Sequence, residues 1–560
     1  MKSLLWNNNQ KETTKKREYL LLFLAGGMIG FLCFLFIYGW RILDVTYDAW
    51  IFHGDIDLRQ HYVGFCHYRM DPWTFPVGLI KSLSYPSSMS VIYTDSIPIV
   101  AVFFKLISGI LPKQFQYYGL YGCLTFILQG GLSGLLLGRF CNKKSYCIIG
   151  AGFFVISYPL IQRMFYHTAL SSQWLILLSL LIWFCCQKKS LLKRCIIWGL
   201  MGLLCVGIHS YYLPMAGMIL LASSIELIVS CSQKSERRKL IWQEGVVILS
   251  YCLSAVFGLW ILGGFYGGPY INEAGGLGTF GSNLNTFVNS MGDGLFLPKL
   301  SLYYDFQYEG AAYLGVGILL LILILAVKLV LSVRQGKDRK EVLSVRAKIV
   351  ICLSIFSWIF AMAPMFSIGS FKIVNLPYPQ FLRSLLGIFR SNGRFSWVAF
   401  YLIILSALVL FERYASKKTM VIAMSVLLAV QVIDLSPMLL ERHEKYREKM
   451  EPVLLWEDAD LSSIAAGKQG FMFMYNDNDI MMQTGYYAYM HDMWISCFYF
   501  ARNIDGLIDW YIHANELELE KGNANPDRVY IFKTDMEHLP KYQELTYYKI
   551  DEEHVAGICQ

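Results

Sequence analysis

Two acids and two histidines share one short stretch, "GDIDLRQHYVGFCHYR" (54–69), at the edge of an apolar segment. Asp55 and Asp57 form a D-x-D pair. Such a pair can hold a divalent ion on a sugar-phosphate, or one carboxylate can act as general base on an acceptor hydroxyl. Solvated loop acids are the bland alternative. His61 reads as an interfacial or orienting histidine. Further on, "FLRSLLGIFRSNGRFSW" separates Arg383, Arg390 and Arg394 by seven and then four residues. On a helix that spacing puts all three on one face, with Asn392-Gly393 as a candidate break. Guanidinium groups at a membrane edge either snorkel or hold an anion, of which a lipid phosphate is the obvious example. Asp95 in "YTDSIP" either caps a helix starting at Ser96 or joins the site. Glu309 in "QYEGAAYLG" lies just before an apolar run, where an acid favours a helix N-terminus; a site role is the other reading.

The elements that must position these residues are membrane helices. Of 560 residues, 55% are hydrophobic and 16% charged, too little charge to cover a soluble protein of this length. Aromatic residues make up 15%, as expected where many helix ends meet lipid–water interfaces. The net charge of +8 is spread over short loops, which argues against nucleic acid as a partner. Fourteen cysteines lie mostly in apolar stretches without framework spacing and read as packing residues. The N-terminal apolar run follows a basic flank and is too long for a signal-peptide core, so it reads as a retained anchor.

Apolar stretches of spanning length occur near 18–42, 115–138, 145–161, 169–187, 194–209, 212–231, 244–264, 310–333, 347–364, 396–412 and 419–436. A twelfth, "SIPIVAVFFKLISGIL" (96–111), is short and carries Lys105. If it crossed, the basic clusters "NKKS", "QKKSLLKR", "SQKSERRKL" and "RQGKDRKEVLSVRAK" would all fall outside. If it lies along the outer surface, all of them join the basic N-terminus inside, as the positive-inside rule requires. The expectation is therefore eleven spans, outer loops at 44–114, 265–309 and 365–395, and an outer C-terminal domain. The membrane domain covers 1–436. Residues 437–560 mix strand-like runs ("GFMFMYN", "RVYIFKT", "TYYKI") with a polar helical stretch, "ANELELEKG", and read as a small α/β domain. On this topology Arg59, Arg69, Arg163, Arg383, Arg390 and Arg394 all face the side where basic residues are disfavoured, which asks for an anion there. No P-loop, G-x-S-x-G, HExxH or Rossmann fingerprint is present, and "GGLGTFGSN" reads as a loop. A lipid-borne donor needs no nucleotide pocket.

Five blocks in order, "DLRQHYVGFCHYR" (57–69), "WTFPVG" (73–78), "VIYTDSIPIVAVFFK" (91–105), "YEGAAYLGVG" (308–317) and "FRSNGRFSW" (389–397), resemble a family of bacterial polytopic proteins of undefined function. That family is grouped by fold with the GT-C glycosyltransferases. The resemblance runs from about residue 18 past "FYFAR" (498–502). It implies a GT-C-like helical membrane fold with surface-lying helices in the first outer loop, and a sugar carried on a polyprenyl phosphate. It makes Asp57 the candidate catalytic carboxylate; Asp55 is supplied by this sequence's own D-x-D and not by the family block.

The resulting expectation is an inverting glycosyltransferase at the outer face of the bacterial cell membrane, with a cytoplasmic N-terminus and an extracytoplasmic C-terminal domain. Asp57, with Asp55 beside it, is the candidate base. Arg394, Arg390, Arg383 and Arg69 are the candidate phosphate ligands, and His61, Gln60, Asp95 and Glu309 orient the site. The partners are a polyprenyl-phosphate-sugar and an envelope glycan or protein acceptor. No residue is assigned to a metal, although a divalent cation on the D-x-D pair remains a candidate cofactor. A transporter or flippase for a lipid-linked precursor, or a non-catalytic envelope assembly protein, are the alternatives; transport would need ionisable groups near the bilayer midplane.

Overall fold

The computed structural model describes residues 12–560 except 269–275, 335–342, 415–418, 453–459, 477–479, 503, 505, 541 and 560. The chain opens with α1 (Glu12–Tyr38) and a long loop carrying α2 (Ala49–Phe52), α3 (Ile56–Met70), a hairpin of β1 (Leu79–Ile80) and β2 (Met89–Ser90), and α4 (Pro98–Leu106). A helical bundle follows: α5 (Tyr118–Phe140), α6 (Lys144–Val155), α7 (Tyr158–Arg163), α8 (Trp174–Cys186), α9 (Leu191–Ile208), α10 (Tyr212–Ser230), α11 (Lys234–Ile261), α12 (Val316–Arg334) and α13 (Val345–Met362). A second hairpin, β3 (Met365–Ile368) and β4 (Phe371–Asn375), leads into α14 (Gln380–Gly387), α15 (Ser396–Tyr414), α16 (Met420–Asp434) and α17 (Ser436–Arg447).

Among the described residues, eight helices are long and apolar enough to cross a membrane, or nine if the pair α16 and α17, bent by 60°, is one span. The protein is a multi-pass membrane protein. The eleven expected stretches are fewer as full-length helices, for local reasons. The 145–161 stretch breaks after Val155 because Pro159 must sit in the first turn of a new helix, α7. The twelve residues of α6 span only about 18 Å against a hydrocarbon core of about 30 Å. The 310–333 stretch turns helical only at Val316, after Gly315 with φ +80°. The nine-residue α4 is far too short to cross. Its Ile99, Phe103 and Leu106, with Ile110 beyond, form an exposed apolar stripe, while Ala101 and Lys105 face inward.

Small residues set the closest helix contact. A Cβ on Gly26 of α1 would fall 2.2 Å from the Gly130 carbonyl oxygen of α5, and one on Gly30 would fall 2.0 Å from that of Phe126, so only glycine lets these backbones meet. Because successive helices run back and forth, the end of α1, the starts of α5, α8, α10, α12 and α15, and the end of α9 all fall on one rim. The residues of the site come from that rim.

The C-terminal region adds α18 (Leu461–Ile464), β5 (Gly470–Phe473), α19 (Met481–Met490), β6 (Trp494–Ile495), α20 (Leu507–Glu520), β7 (Arg528–Lys533), β8 (Leu545–Lys549) and β9 (His554–Cys559). Its five-stranded sheet has the order β6-β5-β7-β9-β8, with β5 parallel to both neighbours and β9 antiparallel to β7 and β8. Three strands and α20 lie in the stretches the sequence singled out. The two-residue β6 and the C-terminal β9 carry no comparable signal. This domain is joined to the first loop: the Ile495 amide donates to the Ser82 carbonyl at 2.7 Å, the Tyr85 amide donates to the Ile495 carbonyl at 3.1 Å, and the buried His67 ring lies 2.7 Å from the Gly485 carbonyl.

Candidate active site

Helix α3 places the first group. The Asp55 side chain accepts from the Asp57 amide at 3.2 Å, so the first acid of the D-x-D pair caps its own helix. Asp57 sits inside the first turn, and His61 follows one turn later on the same face. The Asp57 carboxylate is half-buried and takes no hydrogen bond or ion pair from the described residues. Burial, then the negative charges of Asp55 and Asp95, push its pKa up to about 7, with Arg394 opposing. Arg59 turns back onto the Gly54 carbonyl. Gln60 donates to the carbonyls of Tyr499 (2.8 Å) and Tyr93 (3.3 Å), tying α3 to the C-terminal domain. The His61 carbonyl accepts from Ser96 Oγ and Tyr118 OH, each at 2.6 Å, while neither nitrogen of its fully buried ring has a partner.

Asp95 does not cap α4, which begins at Pro98 with Ile97 before it. Its backbone is left-handed (φ +50°), and the carboxylate turns inward, with one oxygen 3.4 Å from His167 Nε2 and the other 3.5 Å from His209 Nε2. His209 Nδ1 accepts from the Tyr211 amide at 3.2 Å, so its proton lies on Nε2, toward Asp95. Burial lowers the pKa of His61 and His209 to about 3, and burial with the Arg394 and Arg163 charges takes His167 well below the ordinary range. All three imidazoles are neutral.

Beside them stands a buried ion triad. Glu309 lies in a short 3₁₀ turn, Asp305–Gly310, well before α12, so it is no helix-dipole partner. Its Oε2 meets Arg163 Nη2 at 3.0 Å and both Arg394 Nε and Nη2 at 2.8 Å. Burial would raise the Glu309 pKa, but the two guanidinium groups override it and hold the acid at about 2. Two cations share one anion, which leaves one positive charge in excess. The Arg394 guanidinium also lies 4.5 Å from the Tyr211 ring, and its Nη1 has no hydrogen bond among the described residues.

The three downstream arginines do not share a helix face. Helix α14 ends at Gly387, and Arg394 sits in a separate 3₁₀ turn, Asn392–Phe395, held by Asn392 Nδ2 on the carbonyls of Phe360 and Ala361. Arg394 is buried, whereas Arg383 and Arg390 are exposed. Arg390 lies over the Phe280 ring at 5.8 Å and, like Asp57, acts electrostatically on Tyr499. Arg69 is placed elsewhere: its five donors are spent on Ser108 Oγ and the carbonyls of Ser108, Leu111, Pro112 and Lys113. It holds the loop after α4 and has nothing left for a phosphate. A small apolar cleft lined by Leu277, Phe360, Leu386, Phe389, Asn392 and Phe395 adjoins the Arg390–Arg394 segment.

The structure thus brings Asp57, His61, Gln60, Asp95, Glu309 and Arg394 to one rim, with Arg390 at its edge. It adds His167, His209, Tyr211 and Tyr499. The histidines carried one signal in the chain, their position at the ends of apolar stretches ("FYHTAL", "GIHSYY"), but only the folded bundle brings them face to face.

A membrane protein with such a rim site matches one family along most of its length. Residues 27–436 match a family described as "Domain of unknown function (DUF6311)", and residues 460–559 match the DUF6311 C-terminal domain. The chain belongs to this family. No curated protein matches it in sequence. Among solved structures it is similar to the Archaeoglobus fulgidus oligosaccharyltransferase in the apo form, with a TM-score of 0.44 and 11% identity over 94% of this chain and 71% of that one. It is similar also to the archaeal oligosaccharyltransferase AglB from the same organism, in complex with an inhibitory peptide and a dolichol-phosphate, with a TM-score of 0.43 and 12% identity over 94% and 70%.

Proposed function

We propose that this protein is a membrane glycosyltransferase of the GT-C type, taking a sugar from a polyprenyl-phosphate carrier and passing it to a cell-envelope glycan or protein at the non-cytoplasmic face. The observation that carries this reading is the pairing, on one rim, of an unpartnered carboxylate with a cation in excess. Asp57 has a proton affinity near neutrality and no protein partner, so it is equipped to accept a proton from an acceptor hydroxyl. The acceptor oxygen then forms its bond to the anomeric carbon from the side opposite the phosphate. The bond from that carbon to the phosphate oxygen breaks, and the electron pair leaves with the polyprenyl phosphate. Arg394, whose partner Glu309 is shared with Arg163, and exposed Arg390 stabilise the charge that grows on the leaving phosphate.

The orientation follows from charge. Arg139, Lys143, Lys144, Lys188, Lys189, Lys193, Lys234 and Lys239 cluster where helices turn at the opposite rim, and the positive-inside rule assigns that rim to the cytoplasm. The exposed apolar stripe of α4 supports its lying on the membrane surface beside the site. The C-terminal domain reaches α3 through the Tyr499 carbonyl, which accepts from Gln60, and in this reading it borders the acceptor entrance.

Lipid extracts of cells lacking the protein provide the test. A polyprenyl-phosphate-sugar should accumulate in the outer leaflet and disappear when the wild-type chain is restored. A precursor trapped instead on the inner leaflet, shielded from impermeant reagents, would replace this reading with transport.

A further inference from the structure

His61 is the most anomalous polar residue among those described. It is fully buried, yet neither ring nitrogen has a hydrogen-bond partner. A buried polar group left unmatched costs roughly 1–3 kcal/mol, so a histidine bare at both nitrogens needs a reason. The rings of His61 and His167 lie 4.8 Å apart, and one ligating atom each from His61, Asp95 and His167 lie within 4.8 Å of one another. The separation of His167 Nε2 from the Asp95 oxygen is 3.4 Å. Two donors on a tetrahedral ion with bonds of about 2.1 Å are about 3.4 Å apart, so no pair of the three groups needs to close by more than about 1.4 Å.

We infer that His61, His167 and Asp95 bind a divalent transition-metal ion of the zinc class, leaving its fourth position open. Two imidazoles and one carboxylate are a nitrogen-rich set that suits zinc-class ions better than magnesium or calcium, which prefer all-oxygen shells. His209 is not a ligand. Its Nδ1 is occupied by the Tyr211 amide, and its Nε2 hydrogen faces the second oxygen of Asp95, the outer contact that orients a ligating carboxylate. Charge does not oppose a cation there, because Asp57 already feels the negative charges of Asp55 and Asp95. The backbone is shaped to match: Asp95 and Ile97 both adopt positive φ, turning the carboxylate away from α4 and toward the histidines. The inference is independent of what the site transfers. An ion with an open position one helical turn from Asp57 would take a water or a phosphate oxygen there.

The experiment is metal binding by the purified full-length protein in detergent. After stripping with a chelator, wild type should take up one Zn²⁺ per chain by elemental analysis, and its melting midpoint should rise as zinc is added. His61→Ala and His167→Ala should each lose that uptake and the zinc-dependent rise while eluting as the wild type does. His209→Ala should keep the stoichiometry with affinity lowered roughly 10–100-fold. Wild type that retains no zinc, or a His61→Ala/His167→Ala double variant that retains as much as wild type, would overturn the inference. The readout is bound metal and not sugar transfer, so failure here and failure of the proposed activity are separately visible.

Discussion

Replacing Glu309 by Gln removes the single anion that two buried arginines share. The cost can be worked in two ways. A carboxyl whose pKa falls from 4.5 to about 2 on folding contributes roughly 3 kcal/mol when ionised, at about 1.4 kcal/mol per unit. Removing one partner of a buried ion pair in other proteins costs about 3–5 kcal/mol, mostly because the remaining charge is left uncompensated. The figures agree in order. For a chain of this length, at roughly 1–2 °C per kcal/mol, Glu309→Gln should lower the midpoint of heat inactivation by about 3–10 °C. The assay is the fraction of monodisperse protein surviving a heating series in detergent, a kinetic quantity that suits irreversible unfolding. The sign with pH is also set. Because the folded-state pKa is depressed, this stabilisation is present above about pH 4.5 and disappears as pH falls toward 2, so wild type and variant should converge in acid. Adding Arg163→Met to Glu309→Gln restores the net charge of the triad and should recover part of the loss, a coupling of about 0.5–3 kcal/mol. A Glu309→Gln protein as heat-resistant as wild type at neutral pH would mean that the shared carboxylate does not hold the two arginines in the fold.

Other outcomes follow from the same geometry. Transfer activity should rise with pH through an apparent pKa near 7 as Asp57 ionises, and a flat profile between pH 5.5 and 8.5 would remove Asp57 as the base. The linked stability runs the other way: with a raised folded-state pKa, the Asp57 contribution is full below about pH 4 and is lost as pH rises toward 7, so Asp57→Asn should stabilise the protein at pH 8. Arg394→Lys should slow transfer at least about tenfold by losing the forked contact, while Arg383→Ala, at an exposed position, leaves it unchanged in the same assay. Arg69→Ala should leave catalysis largely intact but open the 108–113 loop, read as faster proteolysis there.

Much of the fold was legible because it depends on local pattern. Apolar length marks helices, and the short 96–111 segment could be kept out of the bilayer by charge bias alone. What failed depended on backbone breaks that pattern does not report. Pro159 split one stretch, the chain between Gly387 and Asn392 separated Arg394 from its expected helix partners, and a left-handed Asp95 turned a cap candidate toward two histidines. Arg69 was misread because its partners are carbonyls some forty residues away, which no side-chain spacing reveals. His167 and His209 were missed because isolated histidines at span ends carry no spacing at all.

In the proposed reaction the Asp57 carboxylate removes a proton during sugar transfer. That role is tested most directly by comparing lipid extracts of cells in which wild type or Asp57→Asn replaces the native chain at matched membrane abundance. Asp57→Asn cells should accumulate the polyprenyl-phosphate-sugar as deletion cells do. Turnover of that lipid at the wild-type rate would contradict it.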